Sequence, residues 1–240
     1  SLIKIRHYNM ETKQATRIQT SLLNGVEKKA LVWLAVRQPK WMTSDILTGI
    51  GFIGALIIAT GFVLTKKNID FLWLSSFGLL VNWYGDSLDG TLARVRNKQR
   101  PIYGYYLDHT VDCINESMMF IGAGLSGLMV NPSLALAVLV LYLLMTINVS
   151  VNAHLKSEFR LTYAKLGPTE FRVIMIIVNT LFIFIRPLSE FRRDYHVFGY
   201  DFGMKALDFV AVGMIVILAL MYLVTIFSDA AKYSKMDPKK

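Results

Sequence analysis

Cysteine is all but missing from this chain. Cys113 stands alone among 240 residues, which excludes an intrachain disulfide and says little about redox compartment. No cleavable signal peptide is visible either. Residues 1–20 are polar and mixed in charge, without the hydrophobic core of a cleavable signal peptide, and they read as weakly structured. No low-complexity tract and no internal repeat is visible, and no block reads as a strand. Negative charge is the scarcer sign, with 17 Asp and Glu against 26 Lys and Arg. An excess of cations suits either a nucleic-acid partner or a membrane protein with basic cytoplasmic loops. The distribution of apolar residues favours the membrane, and no nucleic acid is expected.

What is abundant is hydrophobicity in long blocks. The chain is 54% hydrophobic, with a mean hydropathy of +0.43. Blocks of ~20 apolar residues match the ~30 Å hydrocarbon thickness of a bilayer. Six such blocks lie at about 45–65, 70–93, 104–129, 132–153, 169–186 and 206–228. Upstream, Leu22, Leu23, Val26, Ala30, Trp33 and Leu34 fall on one face of a helix over 21–37, while Asn24, Glu27, Lys28 and Arg37 fall elsewhere. That pattern predicts an amphipathic helix lying in the interface, or a cap helix facing solvent. Pro39 stops it, and Thr43-Ser44-Asp45 offers N-cap chemistry to the next helix. The expected architecture is an all-α integral membrane protein of six transmembrane helices with an N-terminal amphipathic interfacial helix. Its parts are a cytoplasmic segment over 1–42, a membrane domain over 43–229 and a cytoplasmic tail over 230–240.

Charge asymmetry orients the bundle. With six spans, both termini and the loops around 94–103 and 154–168 share one side, which carries twenty Lys and Arg against six on the other. The positive-inside rule then puts the termini in the cytoplasm.

Charged groups within spans cost roughly 2.5–3.5 kcal/mol each on insertion scales, so they count as functional candidates. Asp86 and Asp89 are spaced i,i+3, and Asp108 and Asp112 are spaced i,i+4, so each pair shares a helix face. A short loop joins the two helices, which makes them antiparallel neighbours. Four carboxylates converging in a poorly hydrated site repel one another, and protonation or cations must compensate. Hard divalent cations prefer oxygen ligands, and paired ions suit in-line phosphoryl displacement. The plainer alternative is surface carboxylates paired with Arg94, Arg96 and Arg100. Gly90, Ala93 and Gly104 are small residues beside the carboxylates, which lets a base or phosphate approach the backbone. Arg94 can meet a diphosphate with a fork of donors.

Asp86-Ser-Leu-Asp89-Gly90-Thr-Leu-Ala93-Arg94, followed by Gly104-Tyr-Tyr-Leu-Asp108-His-Thr-Val-Asp112, resembles the signature of the CDP-alcohol phosphotransferase family. The resemblance implies that Asp86, Asp89 and Asp108 hold metal, and that Asp112 both ligates and deprotonates the acceptor hydroxyl. It implies two Mg²⁺ or Mn²⁺ ions, a CDP site lined by Gly90, Ala93, Arg94 and Gly104, and release of CMP. A T-P-N-x-L-T-like stretch of the family is matched in variant form by Thr43 to Thr48. Thr48 therefore either meets the cytidine side or bonds its own helix backbone. The family also implies a homodimer, a CDP-alcohol donor such as CDP-diacylglycerol, an alcohol acceptor and surrounding membrane lipids. A bacterial inner (cytoplasmic) membrane is the expected location, with the active site facing the cytoplasm.

Acceptor residues are less defined. Asp108-His109 looks similar to choline and ethanolamine phosphotransferases, which suggests an alternative with a soluble CDP-aminoalcohol donor and a lipid acceptor. His109 either contacts phosphate or fills a helix interface. Glu116, one turn past Asp112, either meets a cationic headgroup or stabilises the fold. Arg160, Glu170 and Arg172 form a polar cluster at the mouth of the fifth span, as an acceptor pocket or as helix-capping residues. A divalent-cation transporter could use the same carboxylates, but transporters usually show repeats and midplane sites.

Overall fold

The computed structural model describes residues 16–18, 23–156, 158–160, 168–197 and 199–237. Chain order begins with strand β1 (Thr16–Ile18) and helix α1 (Asn24–Val36). Helices α2 (Ser44–Leu64), α3 (Leu72–Val95), α4 (Pro101–Gly124) and α5 (Pro132–Lys156) follow, with a 3₁₀ turn at Ile69–Phe71 before α3. Strand β2 (Glu158–Arg160) pairs in parallel with β1. Helix α6 (Pro168–Phe184) and the short α7 (Arg186–Ser189) lead into β3 (Arg192–Val197), β4 (Tyr200–Lys205) and the long α8 (Ala206–Met236).

Six long helices thus lie where the six apolar blocks predicted them. Among the described residues α2, α5 and α8 are long and apolar enough to cross a bilayer. Helices α3 and α4 carry the carboxylates, and α6 has only 17 residues, so these three do not qualify on length and composition alone. Up to Phe227 the outward face of α8 is apolar, with Val224 and Phe227 each 70% exposed, which suits a membrane-embedded helix.

Helix α2 is the axis on which the site's two helices are mounted. A side chain at Gly61 would sit 2.5 Å from the Ser75 backbone nitrogen, and one at Gly78 would sit 2.7 Å from the backbone nitrogen of Ile58. Gly54 faces Asn82 and Gly85 faces Gly51 in the same way. Small residues at such a seam let two backbones approach closely, the usual means of packing helices where lipid removes the hydrophobic driving force. Helix α4 joins the seam through Gly122, which abuts Ala59. The α3–α4 turn closes at Asn97, whose φ of 53° is a left-handed conformation that asparagine tolerates.

One expectation needs correction. The reading of no strands is overturned by the β3–β4 hairpin, in which Tyr195 stacks on Phe202 at 5.4 Å and Gly199 turns the chain with φ +79°. Charged residues in 192–205 hide the period-two pattern. Helix α8 continues unbroken to Met236, past the last apolar block. Helix α1 meets the bundle through the side opposite the predicted apolar face. Leu31 and Ala35 pack against Leu47, Leu88 and Leu92, whereas Val26 and Trp33 stay 73% and 56% exposed. Helix α1 thus has apolar residues on two sides, one against the bundle and one left outward.

The α2–α3 seam predicts an asymmetric response to bulk. Gly54→Leu should lower the unfolding free energy by about 1–3 kcal/mol or prevent assembly, as overpacking does. Gly49→Leu, where a side chain would meet nothing within 4 Å, should leave the detergent-solubilised melting temperature unchanged. Equal melting temperatures for both variants would refute the seam.

Candidate active site

The carboxylates meet at the end of the α3–α4 pair nearest their connecting turn. Asp86, Asp108 and Asp112 each offer a carboxylate oxygen, and these oxygens lie within 4.8 Å of one another. That span approaches the ~4.2 Å across a Mg²⁺ ligand shell built at 2.0–2.1 Å per bond. The donor set is all oxygen, the set that hard divalent ions select. The trio therefore fits the implied metal. Asp108 is the open member, its side chain 43% exposed.

Asp89 lies outside the trio. It is 8% exposed, and its Oδ2 receives a hydrogen bond from Thr48 Oγ1 at 2.7 Å. Its Oδ1 accepts from the Gly90 backbone N–H. Thr48 Oγ1 also lies 3.1 Å from the Ser44 carbonyl, the backbone bond that was one of its two sequence alternatives. Ser44 Oγ donates to the Asp89 carbonyl at 2.8 Å, and Thr43 caps α2 by accepting from Ile46 N at 3.2 Å. The start of α2 is thereby fastened to the motif on α3.

Arg172 of α6 reaches across and pairs with Asp86 through Nη2. Its Nε donates to Asn82 Oδ1 at 3.0 Å, and Asn82 Nδ2 donates to the Gly51 carbonyl at 2.9 Å. Asn82 is fully buried one turn before Asp86. It aims the guanidinium, and the sequence reading missed it. A lone amide in an apolar stretch, four residues from a motif aspartate, was the available signal.

Below the carboxylates a cavity of about 130 Å³ runs into the bundle. Asp86 and Asp112 stand at its polar end with Asn82, Asn115, Glu116 and Arg172. Met119, Phe120, Met175 and Met214 line its apolar depth. Arg172 is the one cation on this wall among the described residues. One guanidinium against the clustered carboxylates leaves the end of the cavity net negative, which again suits divalent cations.

The remaining candidates separate. Gly90 has room, since a side chain there would meet only Arg94, at 3.4 Å. Gly104 faces open space, and Ala93 sits on the same half-exposed stretch of α3. Arg94 Nη2 donates to Thr91 Oγ1 at 2.9 Å. His109 stacks on Tyr105 at 4.1 Å, with Nδ1 3.0 Å from the Tyr105 carbonyl and 3.6 Å from Asp108 Oδ2. Glu170 is not on the cavity wall. It is 5% exposed, and its Oε1 accepts from Leu23 N at 2.8 Å, so it docks the N-terminal helix. Next to it Thr169 Oγ1 donates to Glu27 Oε1 at 2.5 Å. Arg160 has its backbone in β2, while its side chain lies outside the described residues, as do Lys165 and Gly167. The surface alternative is also set aside in part. Arg96 donates to the Met42, Gln38 and Pro39 carbonyls, and Arg100 pairs with Asp45 at 3.5 Å.

A family model described as CDP-alcohol phosphatidyltransferase matches residues 41–231, so the chain belongs to that family, whose members are phosphotransferases of lipid synthesis. No curated protein matches the chain. If the trio holds metal, Asp86→Asn and Asp108→Asn should each weaken Mn²⁺ binding by roughly tenfold or more, read by calorimetry on the solubilised protein. Wild-type affinity in both variants would remove these carboxylates as ligands.

Proposed function

We propose that this member of the CDP-alcohol phosphatidyltransferase family transfers a phosphatidyl group from CDP-diacylglycerol to the hydroxyl of a small polar acceptor, releasing CMP. The observation that carries the reading is the junction of three carboxylate oxygens, within 4.8 Å of each other, with a cavity that opens beneath them. Asp86, Asp89, Asp108 and Asp112 are the proposed ligands of two divalent cations, Mg²⁺ or Mn²⁺. Bound there, the ions would neutralise the donor's diphosphate and the charge that develops on CMP as it leaves.

The protein's own groups then have distinct tasks. Asp112, at the cavity mouth, takes the proton of the acceptor hydroxyl. The hydroxyl oxygen bonds to the β-phosphorus as the bond from that phosphorus to the CMP oxygen breaks, and CMP departs with the electron pair. Gly90, Ala93 and Gly104 leave room for the nucleotide, Arg94 meets its phosphates, and Thr48 orients Asp89 on the cytidine side. Arg172, aimed by Asn82, holds Asp86 in place.

The proposed topology has six spans, with both termini and the site in the cytoplasm of a bacterial inner membrane. Twenty basic residues on that side against six on the other support it. A homodimer is proposed on family grounds. One observation favours a second reading in which the roles are exchanged: the apolar depth of the cavity suits a lipid acceptor, with a soluble CDP-aminoalcohol as donor.

The test is a CMP-release assay across donors and acceptors. Release from CDP-diacylglycerol should require an acceptor, stop with EDTA and return with Mg²⁺ or Mn²⁺. Release from CDP-ethanolamine or CDP-choline with diacylglycerol alone would select the second reading. Asp112→Asn should lower the rate about 10²–10⁴-fold, the usual contribution of a general base, while donor binding persists. Full turnover in that variant would remove Asp112 from the role.

A further inference from the structure

Three buried polar atoms around the cavity have no hydrogen-bond partner among the described residues. Asn115 is only 4% exposed, yet its Oδ1 is unpaired. Glu116 Oε2 and Arg172 Nη1 are in the same condition on the same wall. Buried polar groups in native proteins are almost always paired, so a cluster of exceptions at one cavity calls for an explanation. A bound guest supplies one. The two oxygens can each accept from a donor, and a cation beside Glu116 would hold its carboxylate ionised. The complement is a cation bearing N–H groups.

Position narrows the guest further. Asp112 and Glu116 stand one turn apart on the same face of α4, so their Cβ atoms are roughly 5–6 Å apart. A two-carbon link, which holds a hydroxyl oxygen about 3–4 Å from a nitrogen, lets one small molecule reach both carboxylates with a hydrogen bond at each end. We propose that the acceptor is a 1,2-amino alcohol, its protonated nitrogen held by Glu116 Oε2 and Asn115 Oδ1 and its hydroxyl turned to Asp112. The proposal rests on the transferase reading above and specifies its substrate class. In the reaction the nitrogen keeps its hydrogens. The hydroxyl oxygen bonds to phosphorus, its proton passes to Asp112, and CMP takes the electrons of the broken bond. A trimethylated nitrogen cannot donate to either oxygen, and a neutral diol lacks the charge. Arg172 Nη1, a donor, is left for an oxygen, either of the transferred phosphate or of a carboxylate on the acceptor.

The same chemistry has three sources: a short free amino alcohol, a hydroxy-amino acid whose carboxylate meets Arg172, and a long-chain amino alcohol whose tail enters the apolar depth at Met119, Met175 and Met214. Ethanolamine, serine and sphinganine probe them in turn. Equilibrium binding of each labelled compound to the full-length wild-type protein, without donor, is one readout. CMP release from CDP-diacylglycerol with each is the other. At least one of the three should bind, and the one that binds names the source. Its N-trimethylated counterpart should bind about tenfold to a hundredfold more weakly, as loss of hydrogen bonds to a charged group implies. Ethylene glycol should not compete. Glu116→Gln should weaken binding of the amine by a similar factor and raise its KM, with the donor's KM and the melting temperature unchanged. A merely structural Glu116 would instead shift the melting temperature and leave the amine's KM alone.

Equal binding of the trimethylated compound, competition by ethylene glycol, or wild-type amine affinity in Glu116→Gln would each overturn the proposal. So would no binding of any of the three. CMP release that persists without amine binding would sink this assignment and spare the transferase reading. Amine binding with no CMP release from any donor would do the reverse.

Discussion

Like charges held together in a poor dielectric are the constraint around which this molecule is arranged. Asp86, Asp108 and Asp112 bring carboxylate oxygens within 4.8 Å of one another on two adjoining helices. Repulsion at that distance is a folding cost unless something positive shares the space. Arg172 provides part of the compensation by gripping Asp86, and it does so from α6, a helix distant in sequence. The cost is met further by rigid mounting. Gly51, Gly54 and Gly61 on α2 lie against Gly85, Asn82 and Ser75 on α3, leaving the two backbones no freedom to drift apart. Divalent cations complete the balance in the proposed mechanism, and no other part of the bundle concentrates negative charge in this way among the described residues.

A second tier of polar contacts keeps Arg172 where it is useful. The first turn of α6 is tied to α1 by Thr169 to Glu27 and by Glu170 to the Leu23 backbone. Glu27 also accepts from Trp83 Nε1 on α3 at 3.1 Å, and Tyr84 donates to Gln38 Oε1 at 3.0 Å. Helix α1 is therefore a brace between α3 and the mouth of α6, the two elements that supply Asp86 and its partner. At the far end Asp208 serves a comparable purpose. It is fully buried, and it accepts from Val130 N and Asn131 N at 2.9 Å each and from Lys205 N at 2.7 Å, closing the α4–α5 turn onto the start of α8. The chain spends its buried carboxylates at joints and at the site, and hydrocarbon elsewhere.

Local pattern made much of this legible beforehand. Apolar blocks located all six long helices, because a helix is specified by nearby residues, but they overran the end of α4 and stopped short of the end of α8. The four aspartates were legible because i,i+3 and i,i+4 spacing puts side chains on one face whatever surrounds them. What was not legible involved partners far apart in sequence. Asp86 and Arg172 are 86 positions apart, and Glu170 and Leu23 are 147 apart. No periodicity links such pairs. Sequence alone therefore left Glu170 open between an acceptor pocket and a capping role, and its contact with the Leu23 backbone came only with the fold. The side of α1 that meets the bundle was illegible for the same reason, since Leu31, Ala35, Val26 and Trp33 are all apolar and only the neighbour decides between them.

The amino-acid sequence by itself determined the helices, the facing of the two carboxylate pairs and the family signature, all of which depend on residues within a turn or two of one another. Tertiary structure alone decided that Asp89 turns to Thr48 while the other three converge, that Asn82 and Arg172 brace Asp86, and that a cavity with unpaired Asn115 and Glu116 oxygens lies beneath. Those outcomes depend on how α2, α4 and α6 close around α3. Close approach of backbones is a property of the assembled bundle, and no single stretch of chain contains it.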